Sequence, residues 1–194
     1  MVEKPWPDLA RARHNEAMPQ LISPDPRFRT AFLDAVRENV AEGEYFGDTL
    51  KRELAVYGDN WQQPDGFARY VAAIREEELE EGRRPEGFVP SSWFWYVDGD
   101  DYLGRIQIRH RFTPHLRDFG GHIGYGVRPT ARRRGYATAM LRDVLPHARD
   151  LGLDRVLVTC DTTNVGSRKV IEANGGEFED ERGGMLRFWI HTGP

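Results

Sequence analysis

Between Arg27 and Glu42 apolar residues return every three or four positions, at Phe28, Ala31, Phe32, Ala35, Val36 and Val40, which places them on one face of a helix. Asp25 stands where a cap is needed and Pro26 suits the first turn. The period repeats from about Asp65 to Glu81, with Phe67, Tyr70, Val71 and Ile74 on one face, until Gly82-Arg-Arg-Pro-Glu-Gly87 ends it. From Ser91 the pattern becomes that of strands. Trp93-Phe-Trp-Tyr-Val97 is aromatic and β-branched, and Asp98-Gly-Asp-Asp101 signals a hairpin turn. The return strand, Tyr102–His110, sets Ile106 and Ile108 on one side and Arg105, Gln107 and Arg109 on the other. A loop containing Pro114 and Gly120-Gly121 leads into a further strand, His122–Val127.

Pro129 and Thr130 break that strand, and a helix follows from about Arg134 to Leu151, with Ala137, Met140, Leu141, Val144, Leu145 and Ala148 as its apolar stripe. Arg155–Cys160 is nearly continuous apolar sequence, as a buried strand should be. Asn164 suits the N-cap of a short helix that Gly175-Gly176 closes. Strands near Glu177–Glu179 and Met185–Ile190 then form a last hairpin through Arg182-Gly-Gly184. The order reads as an α/β chain with two leading helices and no internal domain boundary.

Composition agrees with a folded chain: 194 residues, 39% hydrophobic and 30% charged, enough to bury a core without disulfides. No apolar run approaches a membrane span, and the opening Met1-Val-Glu-Lys-Pro-Trp-Pro lacks a signal-peptide stretch. One cysteine, Cys160, excludes an internal disulfide and a cysteine-built zinc site. The expected compartment is the cytoplasm. The net charge of −4 hides a division: residues 1–100 hold 12 Lys+Arg against 20 Asp+Glu, and residues 101–194 hold 15 against 11. A basic half suits a phosphate-bearing ligand, although charge also simply covers a solvated surface.

The basic excess gathers at Arg132-Arg-Arg-Gly135-Tyr-Ala137, where a strand hands over to a helix. Free N–H groups at a helix N-terminus attract anions, Gly135 and Ala137 let a phosphate approach the backbone, and arginines add charge-assisted bonds. A solvated basic first turn is the alternative, but it opposes the helix dipole unless an anion is present. Gly124-Tyr-Gly126 lacks the third glycine of a dinucleotide fingerprint, and no Walker-type Gly-Lys-Ser/Thr occurs. His110, His115 and His122 fit no common metal spacing, so no metal is expected, and the net negative charge argues against nucleic acid.

Arg132-x-x-Gly135-x-Ala137, after a strand ending Gly126-Val127 and before an amphipathic helix, resembles motif A of the GNAT superfamily of N-acetyltransferases. The next strand, Asn164-x-x-Ser167 and the short helix ending at a glycine pair are similar to that family's second cofactor segment. The whole order over about residues 27–192 fits, and Gly120–Pro129 with Thr159-Cys-Asp161, Asn164 and Glu172-x-Asn-Gly-Gly176 looks like a branch of predicted bacterial acetyltransferases with undefined substrates. The resemblance implies a mixed, mostly antiparallel sheet splayed between strands 4 and 5, flanked by helices, with a C-terminal hairpin. It implies one acetyltransferase domain over residues 1–194, with an N-terminal strand, helices and substrate-side insertion in residues 1–90 and the acetyl-CoA-binding core in residues 91–194.

The same resemblance implies an acyl-CoA-dependent N-acyltransferase using acetyl-CoA as co-substrate. Arg132, Arg133, Arg134, Gly135, Tyr136, Ala137 and Thr138 would hold the pyrophosphate, and Tyr125, Gly126 and Val127 would pair with the pantetheine arm. An N–H around Val127 would polarise the thioester carbonyl, and Asn164 and Ser167 would bond the arm, Asn164 being equally readable as a plain cap. His122, early in its strand where the histone-acetylating branch has a glutamate, is the candidate general base, and it is equally readable as a histidine that only hydrogen-bonds across the sheet. Many relatives carry a tyrosine on the last helix to protonate the thiolate; Ile171 stands there, which leaves Ser167 or Tyr136, or an unassisted thiolate. Cys160 lacks a base partner for covalent chemistry.

Acceptor choice would fall to residues 42–65, where Glu42, Glu44, Asp48, Asp59 and Asp65 mix with Tyr45, Phe46, Tyr57 and Trp61, a combination suited to a small cationic amine, although each residue alone reads equally as part of a solvated loop with core anchors. The expected reaction is acetyl transfer to a primary amine of a small molecule or peptide, by a monomer or homodimer with no membrane or nucleic-acid partner. The rival reading is a catalytically silent acyl-CoA-binding sensor.

Overall fold

Two aromatic-rich strands and two helices build one face of the molecule. A computed structural model describes residues 18–43, 55–56 and 60–193. The strands are β1 (Gln20–Ile22), β2 (Ser91–Asp98), β3 (Asp101–Arg109), β4 (Ile123–Val127), β5 (Arg155–Asp161), β6 (Glu177–Arg182) and β7 (Met185–His191). The helices are α1 (Arg29–Ala41), α2 (Pro64–Glu76), α3 (Tyr136–Asp150) and α4 (Val165–Ala173). One seven-stranded sheet runs β1-β2-β3-β4-β5-β7-β6, and every neighbouring pair is antiparallel except β4 with β5. The mixed, mostly antiparallel sheet, its flanking helices and the final hairpin are as expected.

The two faces of the sheet bury different cores. On one, Phe32 of α1 packs against Phe67 and Tyr70 of α2 and against Trp95 and Tyr102 of the β2–β3 hairpin, with ring centroids 5.2–5.9 Å apart. On the other, aliphatic Ile106, Ile108, Ile123, Val156 and Val158 meet Met140, Leu141 and Val144 of α3. Period-two alternation sorts side chains between the faces. A β-bulge resets it: Tyr96 pairs with Gly104 and Val97 with Tyr102, leaving Leu103 as the extra residue.

Several boundaries differ from the sequence-based ones, for local reasons. Asp25 does cap, accepting from Arg27 N at 2.9 Å, but it caps a 3-10 turn, Pro26–Phe28, and α1 begins at Arg29. The second helix stops at Glu76 instead of Glu81. Buried Glu77 is committed to β2, its carbonyl accepting from Ser91 N and its carboxylate from Trp93 Nε1. The long helix starts at Tyr136 because Gly135 takes a φ of +83°, which no helical residue adopts. Strand β1, placed by residue only here, adds three residues to the free edge of β2, and Leu116–Gly120, expected as loop, forms a π-helical turn.

Strands β4 and β5 share one register pair, Ile123 with Val158. Just before it the chain makes a two-way clasp: His122 N donates to the Leu157 carbonyl at 2.7 Å, and Leu157 N donates to His122 Nδ1 at 2.9 Å. Gly121, at φ +61°, permits the approach, because a Cβ there would lie 2.4 Å from the Leu157 carbonyl oxygen. The imidazole is 5% exposed, with the Phe112 ring 4.0 Å away and Trp189 behind it. Burial, helped by the Arg109 charge, lowers its pKa from 6.5 to about 4, so the ring is neutral at neutral pH.

This clasp predicts an acid-sensitive fold. His122 has a lower pKa folded than unfolded, so the unfolded chain takes the proton first. The neutral ring's contribution, about 3 kcal/mol by linkage, is complete above pH 6.5 and is lost as pH falls toward 4. Denaturant titrations across that window should show stability dropping, and His122→Gln should flatten the drop. An equally steep acid limb in the variant would assign it to other groups.

Candidate active site

Beyond Ile123 the two parallel strands part, and the backbone of β4 determines what the gap contains. Arg109 N donates to the His122 carbonyl at 2.7 Å and Arg128 N to the Leu103 carbonyl at 2.8 Å, fixing which peptides face β3. Alternation then turns Gly124 and Gly126 toward β3 and leaves Tyr125 and Val127 facing the gap. This edge is left unpaired by β5, and the Val127 carbonyl is taken instead by Arg132 Nε.

The gap opens into a cleft of about 1000 Å³. At one end stands the N-terminus of α3. Its first backbone bond runs from Ala139 N to the Gly135 carbonyl, so the N–H groups of Tyr136, Ala137 and Thr138 precede the ladder, and no side chain caps them. These three residues and Gly135 line the cleft, as do Tyr125, Gly126, Val127, Asn164 and Ser167.

The three arginines before Gly135 divide their work. Arg132 lines the cleft but is held by protein: Nη1 bonds Glu42 at 2.8 Å, Nη2 reaches Asn39 Oδ1 at 3.5 Å and Nε donates to the Val127 carbonyl at 3.2 Å. Arg128 likewise bonds Glu38, which also accepts from Thr130. Burial pushes the Glu38 carboxyl up, but these bonds outweigh it and hold the group below its usual range. The β4–α3 loop is thus strapped to α1. Arg133, at φ +60°, lines the cleft, while Arg134 lies over the Tyr136 ring and is outside the lining.

Across the gap, the Tyr125 hydroxyl lies 2.7 Å from Ser167 Oγ, joining β4 to α4. Burial raises the phenol to about 12 against the lowering effect of that bond, so it stays protonated. The Cys160 thiol is also pushed up by burial, which makes it a poor nucleophile. Asn164 is an N-cap, its Oδ1 accepting from Ser167 N at 2.9 Å, and it also borders the cleft. Ile171, at the place of the absent tyrosine, is fully buried core.

His122 is not brought to this site. It does not line the cleft, and its Nδ1 already accepts from Leu157, so the neutral ring carries its proton on Nε2 and has no lone pair left for an amine. Of the acceptor-side residues, Glu44, Tyr45, Phe46, Asp48, Tyr57 and Asp59 lie outside the described residues. Glu42 is spent on Arg132, and Trp61 packs edge-on against Phe32. Sequence reasoning passed over the polar row Arg105, Gln107 and Arg109, which borders the cleft from β3; three polar side chains on one face of a central strand were the signal.

The fold is similar to that of several solved structures. Mycobacterium smegmatis RimJ, in complex with CoA-disulfide, is 20% identical with a TM-score of 0.59, over 89% of this chain and 81% of that one. A microcin self-immunity acetyltransferase, MccE, in complex with acetyl-CoA and AMP, is 12% identical with a TM-score of 0.58, over 92% and 93%. Salmonella typhimurium yncA, with acetyl-CoA, is 11% identical with a TM-score of 0.56, over 90% and 94%. At these identities the likeness is one of fold. No curated protein matches the chain by sequence. A family model for the acetyltransferase (GNAT) domain matches residues 37–177, which includes the splayed strands, the uncapped helix and the segment from Asn164. The chain belongs to the GNAT acetyltransferase family.

Proposed function

We propose that this chain transfers the acetyl group of acetyl-CoA to a primary amine of a small molecule or peptide, by direct attack of the amine on the thioester. The observation that carries the reading is the continuity between the edge of β4 that β5 leaves unpaired, at Tyr125 and the Val127 N–H, and the uncapped N-terminus of α3. That pairing of an extended slot with an anion site matches a pantetheine arm ending in a pyrophosphate. Structures of the same fold hold acetyl-CoA or CoA-disulfide, in support.

Within this reading the backbone at Gly135, Tyr136, Ala137 and Thr138 receives the pyrophosphate, with Arg133 and Arg134 as mobile cations and Arg132 positioning the loop. Val127 N–H faces the thioester carbonyl and favours the oxyanion. The Tyr125–Ser167 hydroxyl pair supplies the proton for the departing thiolate, replacing the tyrosine that Ile171 excludes. Among the described residues lining the cleft there is no imidazole, and the carboxylate present, Asp161, accepts from Thr163 through Oδ1 and keeps Oδ2 free. In this reading the amine passes its proton to solvent water. No metal is invoked, and the described residues contain no cluster of His, Cys, Asp and Glu suited to one. No described helix is long and apolar enough to cross a membrane, and a cytoplasmic setting is part of this proposal.

Calorimetric titration with acetyl-CoA should give one-to-one binding, weakened about tenfold or more when Arg133 and Arg134 are both replaced by serine. No binding to folded protein would refute the reading. Tyr125→Phe and Ser167→Ala should each lower thioester turnover with an amine panel, the double variant by about 10²-fold, at nearly unchanged acetyl-CoA affinity. Binding with no turnover on any amine would favour the silent sensor instead.

A further inference from the structure

The face of β3 opposite α3 presents Arg105, Gln107 and Arg109 to the cleft. Arg105 is engaged, its guanidinium over the Trp93 ring and its Nη1 reaching the Tyr70 hydroxyl. Gln107 is 2% exposed and its side chain borders the cleft next to Arg109 on the same face of β3. Arg109 uses one nitrogen: Nη1 donates to the carbonyls of Gly120 at 2.8 Å and Gly121 at 3.3 Å. Its Nε and Nη2 have no acceptor among the described residues, and no described carboxylate pairs with it. The guanidinium lies over Gly124, where a Cβ would come 3.0 Å from Nη2, so the missing side chain makes its room.

Arg109 is half-buried in the cleft wall; partial burial lowers its pKa to about 10, and no described carboxylate offsets its charge. An anionic ligand in the cleft would supply that counter-charge. The pyrophosphate of the donor is the wrong anion: its place is beyond Val127, about 10 Å along the strand from Gly124, and α3 packs on the opposite face. We propose that the acceptor amine carries an anionic group, a carboxylate or a phosphate, which Arg109 receives through Nε and Nη2 with the Gln107 amide beside it. A planar fork with two free donors matches both groups, and the rest of the acceptor brings its amine toward the thioester. This deepens the acetyl-transfer reading and rests on it.

The test separates the two. In protein saturated with CoA, the Arg109 Nε–H resonance, identified by its loss in Arg109→Lys, is followed during titration with sodium acetate and with sodium phosphate, using sodium chloride as the ionic-strength control. A saturable shift with acetate or phosphate, absent with chloride, supports the proposal and says which anion fits. No saturable shift with either overturns it and leaves Arg109 as a brace for the Gly120–Gly121 turn. In turnover, β-alanine is compared with its amide and 2-aminoethyl phosphate with ethanolamine, all in the unaltered protein. The anionic member of a pair should be preferred by about tenfold or more in kcat/KM, a preference that Arg109→Gln removes. Equal rates within both pairs overturn the proposal. Failure of CoA to bind at all counts against the acetyl-transfer reading instead, and the anion titration in free protein still decides the role of Arg109.

Discussion

The two-way bond between His122 and Leu157 is the constraint on which the rest of the architecture depends. Parallel neighbours normally zip along their length, and here a clasp at one end allows one register pair before the strands diverge. Gly121 brings the backbones together and the buried ring takes the Leu157 N–H, so the junction is bonded from both sides. Everything beyond it is a consequence. A sheet that opens from a fixed apex exposes one edge of β4, and the crossover through α3 starts at the wide end of the opening. The slot and the exposed start of α3 thus follow from one geometrical feature, the divergence of β4 from β5.

Much of this was legible along the chain. Helical periods located both leading helices and α3, alternation and turn residues located the β2–β3 and closing hairpins, and a continuous apolar run located β5, because each signal lies within the element's own residues. What failed to show were elements defined by partners. β1 is three residues long and exists through pairing with β2. The early end of α2 follows from Glu77 being needed by Trp93 and Ser91, which no window around residue 77 contains.

The site divided in the same way. Gly135 and Ala137 mark the helix start because local backbone chemistry requires them. Side-chain roles were less accessible. His122 looks like a base by type and position, and only the Leu157 N–H, 35 residues on, shows that its acceptor nitrogen is already used. Three consecutive arginines look equivalent until α1 supplies acids for one of them. The Tyr125–Ser167 pair, 42 residues apart, has no local signature at all.

The strap between α1 and the β4–α3 loop has a mechanical meaning. Glu38 holds Arg128 and Thr130, and Glu42 holds Arg132, so the last turns of α1 and the entrance to α3 form one body. The buried face of α1 is anchored by Phe32 in the aromatic core, which also holds the β2–β3 hairpin. The hairpin wall of the cleft and the turn that opens α3 are thus tied through one helix. Any coupling that this helix carries between ligands in the two halves of the cleft is equal in both directions.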